Sequence, residues 1–316
     1  MVQWKGWRAA DIPDLHGRVA LVTGASSGIG LATAAQLARG GARTLLGCRD
    51  PERAQRAREA ILRRDPGAVV ELVRVDLASL ESVEDAAEEI ADRAGHLDVL
   101  VNNAGLMAPP PDLTAEGFEL QLGVNHLGHF ALTGRLLPLL LAAESARVVT
   151  VTSMAHRVAT GAGLSEAAEF KTLPHGSRWL GYARSKLANL LFARELERRV
   201  RACHWSLRSI PVHPGYARTE LMANSGAGRR QVVGALARAS FSTGQSAAEA
   251  ALPSLYAATH PGALGGEFIG PRLGLRGAPI RIKPSRLAQD AALAGHLWAA
   301  SVEATGVGYE ELRAAR

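Results

Sequence analysis

An apolar run that ends in a glycine-rich turn limits most strongly what this chain can fold into. Residues 19–22 read Val-Ala-Leu-Val, residues 23–30 read Thr-Gly-Ala-Ser-Ser-Gly-Ile-Gly, and apolar residues recur at helical spacing over residues 31–39. A strand without polar alternation is buried on both faces. Followed by a tight turn and a helix, it predicts the first unit of a parallel sheet.

The alternation of strand and helix continues along the chain. Further apolar runs predict strands at residues 45–48, 69–75, 98–101, 147–152, 207–212 and 266–269. Helical spacing predicts helices at residues 52–64, 79–93, 114–143, 179–201, 246–259 and 286–305. The helix at 114–143 is expected to break near Gly123 or Gly128. We therefore predict an α/β fold: a doubly wound parallel sheet (a Rossmann fold) of about seven strands with helices on both faces.

No internal repeat and no linker divides the sequence. Residues 1–316 are expected to form a single Rossmann-type domain with its core over residues 18–270. Residues 154–178 lack periodicity and predict a loop on the substrate side, and residues 216–243 predict a lid that orders on binding. Residues 284–316 predict a helical tail.

Composition disfavours several function classes. The net charge of +6 comes mostly from arginines spread along helices, without the aromatic interleaving of a nucleic-acid groove. Cys48 and Cys203 lie far apart, so neither a disulfide framework nor a metal site is expected. No secretory leader and no membrane anchor is recognisable, which favours a soluble, cytoplasmic protein.

The glycine-rich turn predicts a dinucleotide site. Gly24, Gly28 and Gly30 permit a tight turn and let backbone amides approach a pyrophosphate at a helix N-terminus. Ser26, Ser27 and Ile29 belong to the same turn and are expected to contact the cofactor. A purely structural turn is the alternative.

Arg49 indicates which dinucleotide is preferred. It ends the second strand, where an acidic residue would bind the ribose hydroxyls of NAD(H). A guanidinium instead suits a 2′-phosphate, so NADP(H) is expected to bind better than NAD(H). An ordinary surface arginine is the alternative, and Asp50 is expected to help start the next helix.

Tyr182 and Lys186 lie four positions apart on a predicted helix, which places phenol and ammonium on one face. An ammonium about 5 Å away would lower the pKa of the phenol by roughly two at an effective dielectric near 20. Tyr182 would then exchange a proton near neutral pH. For the pair taken alone, the alternative is that Tyr182 and Lys186 are ordinary surface residues.

Together these motifs resemble the short-chain dehydrogenase/reductase family. Several runs also resemble its retinol-dehydrogenase-like branch, which includes many bacterial members. The matching segments are residues 23–30, Asp76-Leu77, Asn102-Asn103-Ala104-Gly105, Asn125, Ser153, Tyr182 to Lys186, and Pro214-Gly215 with Thr219. The branch resemblance rests on residues 47–50, 125–130, 155–157 and 185–189.

The resemblance implies a role for each matching residue. Tyr182 would exchange the proton, Lys186 would lower the tyrosine pKa and hold the nicotinamide ribose, and Ser153 would stabilise the substrate oxygen. Asn125 would hold a water that links Lys186 to solvent. The remaining matches would contact the cofactor: Asp76 and Leu77 the adenine, Asn103, Ala104 and Gly105 the adenosine ribose, and Pro214, Gly215 and Thr219 the nicotinamide.

The expected reaction is the NADP(H)-dependent interconversion of a carbonyl and an alcohol on a small-molecule substrate. The long loop before Tyr182, with Leu164, Phe170 and Trp179 in or beside it, favours a bulky apolar substrate. Two alternatives stay open: a carbon–carbon double-bond reductase of the same family, and a non-catalytic NADP-binding sensor or scaffold. The resemblance also implies a homodimer or homotetramer.

Four histidines near these motifs are expected to be structural rather than catalytic. They are His126, His129, His156 and His213.

Overall fold

The computed structural model describes residues 6–171, 177–216 and 244–312. Its strands are β1 (Val19–Thr23), β2 (Arg43–Cys48), β3 (Val70–Arg74), β4 (Val99–Asn102), β5 (Arg147–Val151), β6 (Arg208–Val212), β7 (Ile269–Pro271) and β8 (Pro279–Arg281). They form one sheet in the order β3-β2-β1-β4-β5-β6-β7-β8. The chain reverses its direction of growth between β1 and β4, which confirms the predicted doubly wound α/β fold.

Helices cover both faces of this sheet. They are α1 (Gly28–Arg39), α2 (Pro51–Arg64), α3 (Leu80–Arg93), α4 (Leu120–Leu122), α5 (Gly128–Arg135), α6 (Leu137–Ala142), α7 (Arg178–Ala202), α8 (Ala247–Thr259) and α9 (Ala291–Thr305). A π-helical segment, Gly123–Leu127, joins α4 to α5. No helix in the described parts of the chain is both long enough and apolar enough to cross a membrane.

Residues of β1 show how the sheet separates two apolar cores. Leu21 points into the core beneath α3, α5 and α7, whereas Ala20 and Val22 point into the core beneath α1, α2 and α8. Successive side chains of a strand point to opposite faces, so a strand buried on both sides needs apolar residues throughout. The apolar run at residues 19–22 meets that requirement.

Helix α7 is buried around much of its circumference, unlike an ordinary surface helix. Its Phe192 packs against Trp298 of α9, and the Arg199 guanidinium lies 4.4 Å from the Trp298 ring centroid. Ala183 and Leu187 pack in a third cluster with Phe268 and residues of α9. The C-terminal tail therefore forms an outer layer over α7.

Four local predictions need correction. Strand β8 was not predicted, and it pairs with β7 in antiparallel fashion because a hairpin over residues 272–278 joins them. The helix expected from residue 114 starts only at Leu120, where the Glu119 carboxylate caps it by accepting the Gln121 and Leu122 amides.

The other two corrections concern the loop and the tail. The predicted loop at residues 154–178 contains two 3-10 turns, Met154–Val158 and Ala167–Lys171. The last helix starts at Ala291, not at residue 286, because Asp290 caps it.

Candidate active site

A cleft of about 540 Å³ lies at the carboxyl edge of the parallel strands. Loops that follow β1, β2, β3, β4, β5 and β6 line it, as expected where parallel strands end together. Most predicted site residues line this one cleft: Gly24, Ser26, Ser27, Gly28, Ile29, Gly30, Arg49, Asp76, Leu77, Asn103, Ala104, Gly105, Ser153, Tyr182, Lys186, Pro214 and Gly215. Thr219 and residues 217–243 of the predicted lid lie outside the described residues.

The glycine turn between β1 and α1 requires glycine at particular positions. Gly24 and Gly28 have φ values of 65° and 56°, a region that side chains disfavour. Gly30 is needed for space, since a Cβ there would lie 2.3 Å from the Gly24 carbonyl oxygen and 2.5 Å from Asn103 Nδ2. At these three glycines the turn therefore presents only backbone atoms, at one end of the cleft.

The N-terminus of α1 differs from those of the neighbouring helices. Ser27 occupies the N-cap position without a side-chain capping bond, and the first turn contains no acidic residue. In α2 and α3, Asp50 and Ser79 accept a first-turn amide. Because α1 begins at the cleft without such a cap, its amides suit the negatively charged pyrophosphate of a dinucleotide.

Two arginines line the cleft beside this turn. Arg49 follows β2, and Arg53 lies one helical turn into α2. The Asp50 carboxylate accepts the Arg53 amide at 3.0 Å, and this bond lowers the pKa of Asp50. Asp50 thus caps α2 as expected. Arg53 was not among the predicted site residues.

A hydrogen-bond network supports the cleft from behind. The Thr23 hydroxyl accepts the backbone amides of Asn103 at 2.9 Å and Ala104 at 3.0 Å. It also lies 2.8 Å from His129 Nε2, while His129 Nδ1 lies 3.1 Å from the Asn125 carbonyl oxygen. Burial lowers the pKa of His129 to about 4, so the ring is neutral and links the glycine turn to the π-helical segment.

Three polar side chains converge at the other end of the cleft. Ser153 follows β5 and caps the turn after it, and its hydroxyl hydrogen-bonds the Tyr182 phenol. Lys186 Nζ donates to the Val151 carbonyl oxygen at 3.2 Å and lies 5.7 Å from the centroid of the Tyr182 ring. Residues from β5 and α7 are thereby assembled into one polar group.

Burial dominates the electrostatics of this group. It raises the pKa of Tyr182 above 10, and the hydrogen bond with Ser153 opposes that rise. Burial also lowers the pKa of Lys186 to about 8. The expected net lowering of the tyrosine pKa is therefore wrong for the protein alone, because the sequence argument ignored the loss of water around both groups.

Asn125 lies just behind the cleft, in the π-helical segment. Its side-chain amide donates to the Leu106 carbonyl oxygen at 3.0 Å and to Ser185 Oγ at 2.8 Å, and its Oδ1 accepts the Leu106 amide at 2.7 Å. A Cβ at Gly105 would lie 3.0 Å from Asn125 Oδ1 and 3.4 Å from Lys186 Nζ. Gly105 thus lets the loop after β4 pass close to both side chains.

Comparison with known proteins agrees with this arrangement. The family model for short chain dehydrogenase matches residues 18–230. The chain belongs to the short-chain dehydrogenase family. Human retinol dehydrogenase 14 is 41% identical over 227 residues, which cover 68% of this chain and 66% of that protein. The match thus spans slightly less than two thirds of that relative.

Two solved structures extend the comparison. A protein from Mycobacterium Paratuberculosis is 40% identical with a TM-score of 0.77, covering 96% of this chain and 99% of that one. A short chain dehydrogenase from Escherichia coli CFT073, complexed with NADPH, is 25% identical with a TM-score of 0.64, covering 81% and 98%.

Apolar residues form walls near the group of Ser153, Tyr182 and Lys186. Met107, Pro109 and Trp179 line the cleft there. Leu164 and Phe170, expected in a wall over the substrate, are instead fully buried with α7 and α9, because they anchor the long loop to the tail.

Gln121 connects two of these walls, and nothing in the sequence singled it out. Its Oε1 accepts the Ala108 amide at 2.8 Å, and its Nε2 donates to the Arg178 carbonyl oxygen at 3.1 Å. Ala108 has a φ of 47°, an uncommon value for a residue with a side chain. The bond from Gln121 helps to hold this strained residue between Met107 and Pro109.

Proposed function

We propose that this chain is an NADP(H)-dependent oxidoreductase that interconverts a carbonyl and an alcohol on a bulky, apolar substrate. One observation carries the proposal. A single cleft joins the uncapped N-terminus of α1 and two arginines to the group formed by Ser153, Tyr182 and Lys186.

The residues of the cleft fit the parts of the cofactor. The α1 N-terminus would hold the pyrophosphate, and Asp76, Leu77, Asn103 and Ala104 would line the adenosine end. Gly105 lies nearer the reactive end, since a Cβ there would be 3.4 Å from Lys186 Nζ. Pro214 and Gly215 border the opposite end, where a bound nicotinamide would supply the hydride.

In reduction, the Tyr182 hydroxyl gives its proton to the substrate oxygen. The Ser153 hydroxyl donates a hydrogen bond to the same oxygen and stabilises the negative charge that develops there. Lys186, within 6 Å of the phenol ring, favours the phenolate that remains. In oxidation the same groups act in reverse, and Asn125 is proposed to help connect Lys186 to solvent.

Arg49 and Arg53 support a preference for NADP(H). Two guanidinium groups at the adenosine end suit the doubly charged 2′-phosphate. The nearby Asp50 carboxylate is engaged as the cap of α2, where it accepts the Arg53 amide.

The walls support an apolar substrate. Met107, Pro109 and Trp179 present carbon surface to the cleft, and the centroids of the Trp179 and Tyr182 rings lie 6.3 Å apart. The name of the human relative specifies retinol, a lipophilic alcohol. Both observations favour large lipophilic carbonyl compounds over small hydrophilic ones.

The test measures NADPH oxidation with aldehydes and ketones of graded size and polarity as substrates. We expect the highest kcat/KM with large lipophilic carbonyls and a clear preference for NADPH over NADH. Tyr182→Phe is the control, and it should lower kcat by roughly 10²- to 10⁴-fold while NADPH still binds. Undiminished turnover by this variant, or NADPH binding without turnover of any carbonyl, would refute the proposed reaction.

A further inference from the structure

The ring of His156 is buried between the reactive serine and the C-terminal tail. Its Nδ1 lies 2.6 Å from the Ser153 carbonyl oxygen. On the other side, its Nε2 lies 3.2 Å from the backbone nitrogen of Ser285. One side chain thus contacts two segments that are about 130 residues apart in sequence.

These two contacts fix the protonation of the ring. The Ser285 amide can only donate, so Nε2 must accept and carries no proton. The Ser153 carbonyl oxygen can only accept, so Nδ1 must carry the proton. Both partners therefore require the same neutral tautomer, with hydrogen on Nδ1.

The surroundings hold the ring in this state. His156 is fully buried, and its ring meets Phe268 edge to face with centroids 5.5 Å apart. Burial lowers the pKa of His156; the bond with Ser153 opposes that shift, and the positive charge of the neighbouring Arg157 adds to it. Arg157 adds a second link to the tail, because its Nη2 donates to the Lys283 carbonyl oxygen at 2.6 Å.

The bond to Ser153 bears on how that residue presents its hydroxyl. Ser153 is the N-cap of the turn Met154–Val158, and its Oγ accepts the Ala155 amide at 3.2 Å. The carbonyl of the same residue accepts two bonds from His156, one from its backbone amide at 3.1 Å and one from Nδ1 at 2.6 Å. Both ends of Ser153 are thus constrained by the turn, and the hydroxyl is left facing the cleft and Tyr182.

We propose that His156 is a positioning residue for Ser153, and that it couples Ser153 to the tail segment formed by residues 282–290. The inference rests on the proposed function, since that function gives Ser153 its role. His156 does not touch the reacting atoms. It acts through the orientation of the turn that carries the serine hydroxyl.

Two substitutions separate the two contacts of the ring. Asparagine carries its amide nitrogen near the position of Nδ1, so His156→Asn keeps a donor for Ser153 and loses the acceptor for Ser285. Glutamine reaches the position of Nε2, so His156→Gln keeps an acceptor for Ser285 and loses the donor for Ser153. If His156 only filled space, the two variants would have the same effect on kcat.

The expected result is a split between kcat and stability. His156→Gln should lose about ten-fold in kcat with an unchanged KM for NADPH, the size expected for one misplaced hydrogen bond. His156→Asn should keep kcat within about three-fold of the unmodified protein, while its tail becomes more sensitive to proteolysis.

Ser301→Ala is the matched control. Ser301 Oγ lies 2.9 Å from His126 Nε2 and anchors α9 at a point that does not touch Ser153. The variant should loosen the tail and leave kcat unchanged. Equal losses of kcat in the two His156 variants, or full kcat in His156→Gln, would overturn the inference.

A measurement without turnover separates this inference from the proposed function. Nitrogen-15 NMR of the histidine rings in the full chain should show the Nδ1-protonated tautomer for His156 at neutral pH. A ring protonated on Nε2 would overturn the inference whatever the activity. Nδ1 protonation in a protein that reduces no carbonyl would support the geometry and refute only the proposed reaction.

Discussion

The two ends of the cleft are built in different ways. The centre of the dinucleotide end is backbone from one continuous stretch, β1 to α1. Arg49 and Arg53 follow about 20 residues further on, and the loops after β3 and β4 add Asp76, Leu77, Asn103 and Ala104. The reactive end combines Ser153, Tyr182 and Lys186 with supports from distant parts of the chain, among them Gln121, His156 and Ser285. The first depends on local backbone conformation, and the second on tertiary contacts between side chains.

This contrast teaches where each end is vulnerable. A change at the dinucleotide end acts through space and backbone angles, so it should weaken cofactor binding. A change at the reactive end acts through desolvated polar groups, so it should alter catalysis, pKa values or substrate binding. Four substitutions test this division, ordered from the largest expected effect to the smallest.

Replacement of Lys186 should have the largest effect. Lys186→Met removes the cation beside Tyr182 and should lower kcat by roughly 10²- to 10⁴-fold. The same change should stabilise the protein without cofactor, because burial lowers the pKa of Lys186 from 10.5 to about 8. The Val151 carbonyl oxygen keeps a donor, Asn189 Nδ2, at 3.1 Å.

The stability gained in Lys186→Met should depend on pH in a defined direction. Between pH 8 and pH 10.5 the unfolded chain binds more protons at Lys186 than the folded chain does, so the stability of the unmodified protein rises with pH in that window. The advantage of Lys186→Met should be about 3 kcal/mol below pH 8 and should vanish above pH 10.5. Denaturant unfolding at several pH values measures it, and a destabilised variant at pH 7 would contradict the burial argument.

Substitution of Gly30 tests the dinucleotide end. In Gly30→Ala the added Cβ would meet the Gly24 carbonyl oxygen and Asn103 Nδ2 at distances below van der Waals contact. We expect a loss of about 1–3 kcal/mol of stability and at least a ten-fold weaker NADPH affinity, measured by unfolding and by fluorescence titration. Gly95→Ala is the control, since a Cβ there meets nothing within 4 Å.

Arg53 tests the electrostatic part of the same end. Arg53→Ala should weaken NADPH binding about ten-fold and leave NADH binding unchanged, because only NADPH carries the 2′-phosphate. Arg56→Ala is the matched control, as Arg56 lies on the same helix in an exposed ion pair with Glu52. Equal weakening of both dinucleotides would show that Arg53 does not recognise the phosphate.

Gln121 should give the smallest effect, confined to the reactive end. Gln121→Ala frees the strained Ala108 and separates the Met107–Pro109 wall from the start of α7. Both hydrogen bonds of Gln121 are lost, and we expect KM for a bulky carbonyl to rise by at least about five-fold, with NADPH affinity unchanged. An unchanged carbonyl KM together with weaker NADPH binding would contradict the assignment of substrate binding to the reactive end and cofactor binding to the dinucleotide end.

Much of the fold was predictable because it repeats a local rule. Each buried strand has an apolar run, and caps such as Asp50, Ser79 and Ser246 mark helix starts. Strand β8 was missed because its three residues, Pro279–Arg281, are too few to show a periodicity. Helix α7 starts one residue before its predicted start and ends one residue after its predicted end, yet its burial by α9 could not be foreseen from its own residues.

The sequence by itself indicated most of the residues that meet in the cleft. The glycine spacing, Arg49 and the Tyr182–Lys186 pair followed from the residues themselves, and the resemblance to the family implied the others. Only the tertiary structure decided how those residues behave. Burial reversed the expected pKa of Tyr182, and the partners of His129, His156 and Gln121 became visible only once distant segments had packed. Desolvation and hydrogen-bond geometry depend on neighbours in space, which a linear pattern does not record.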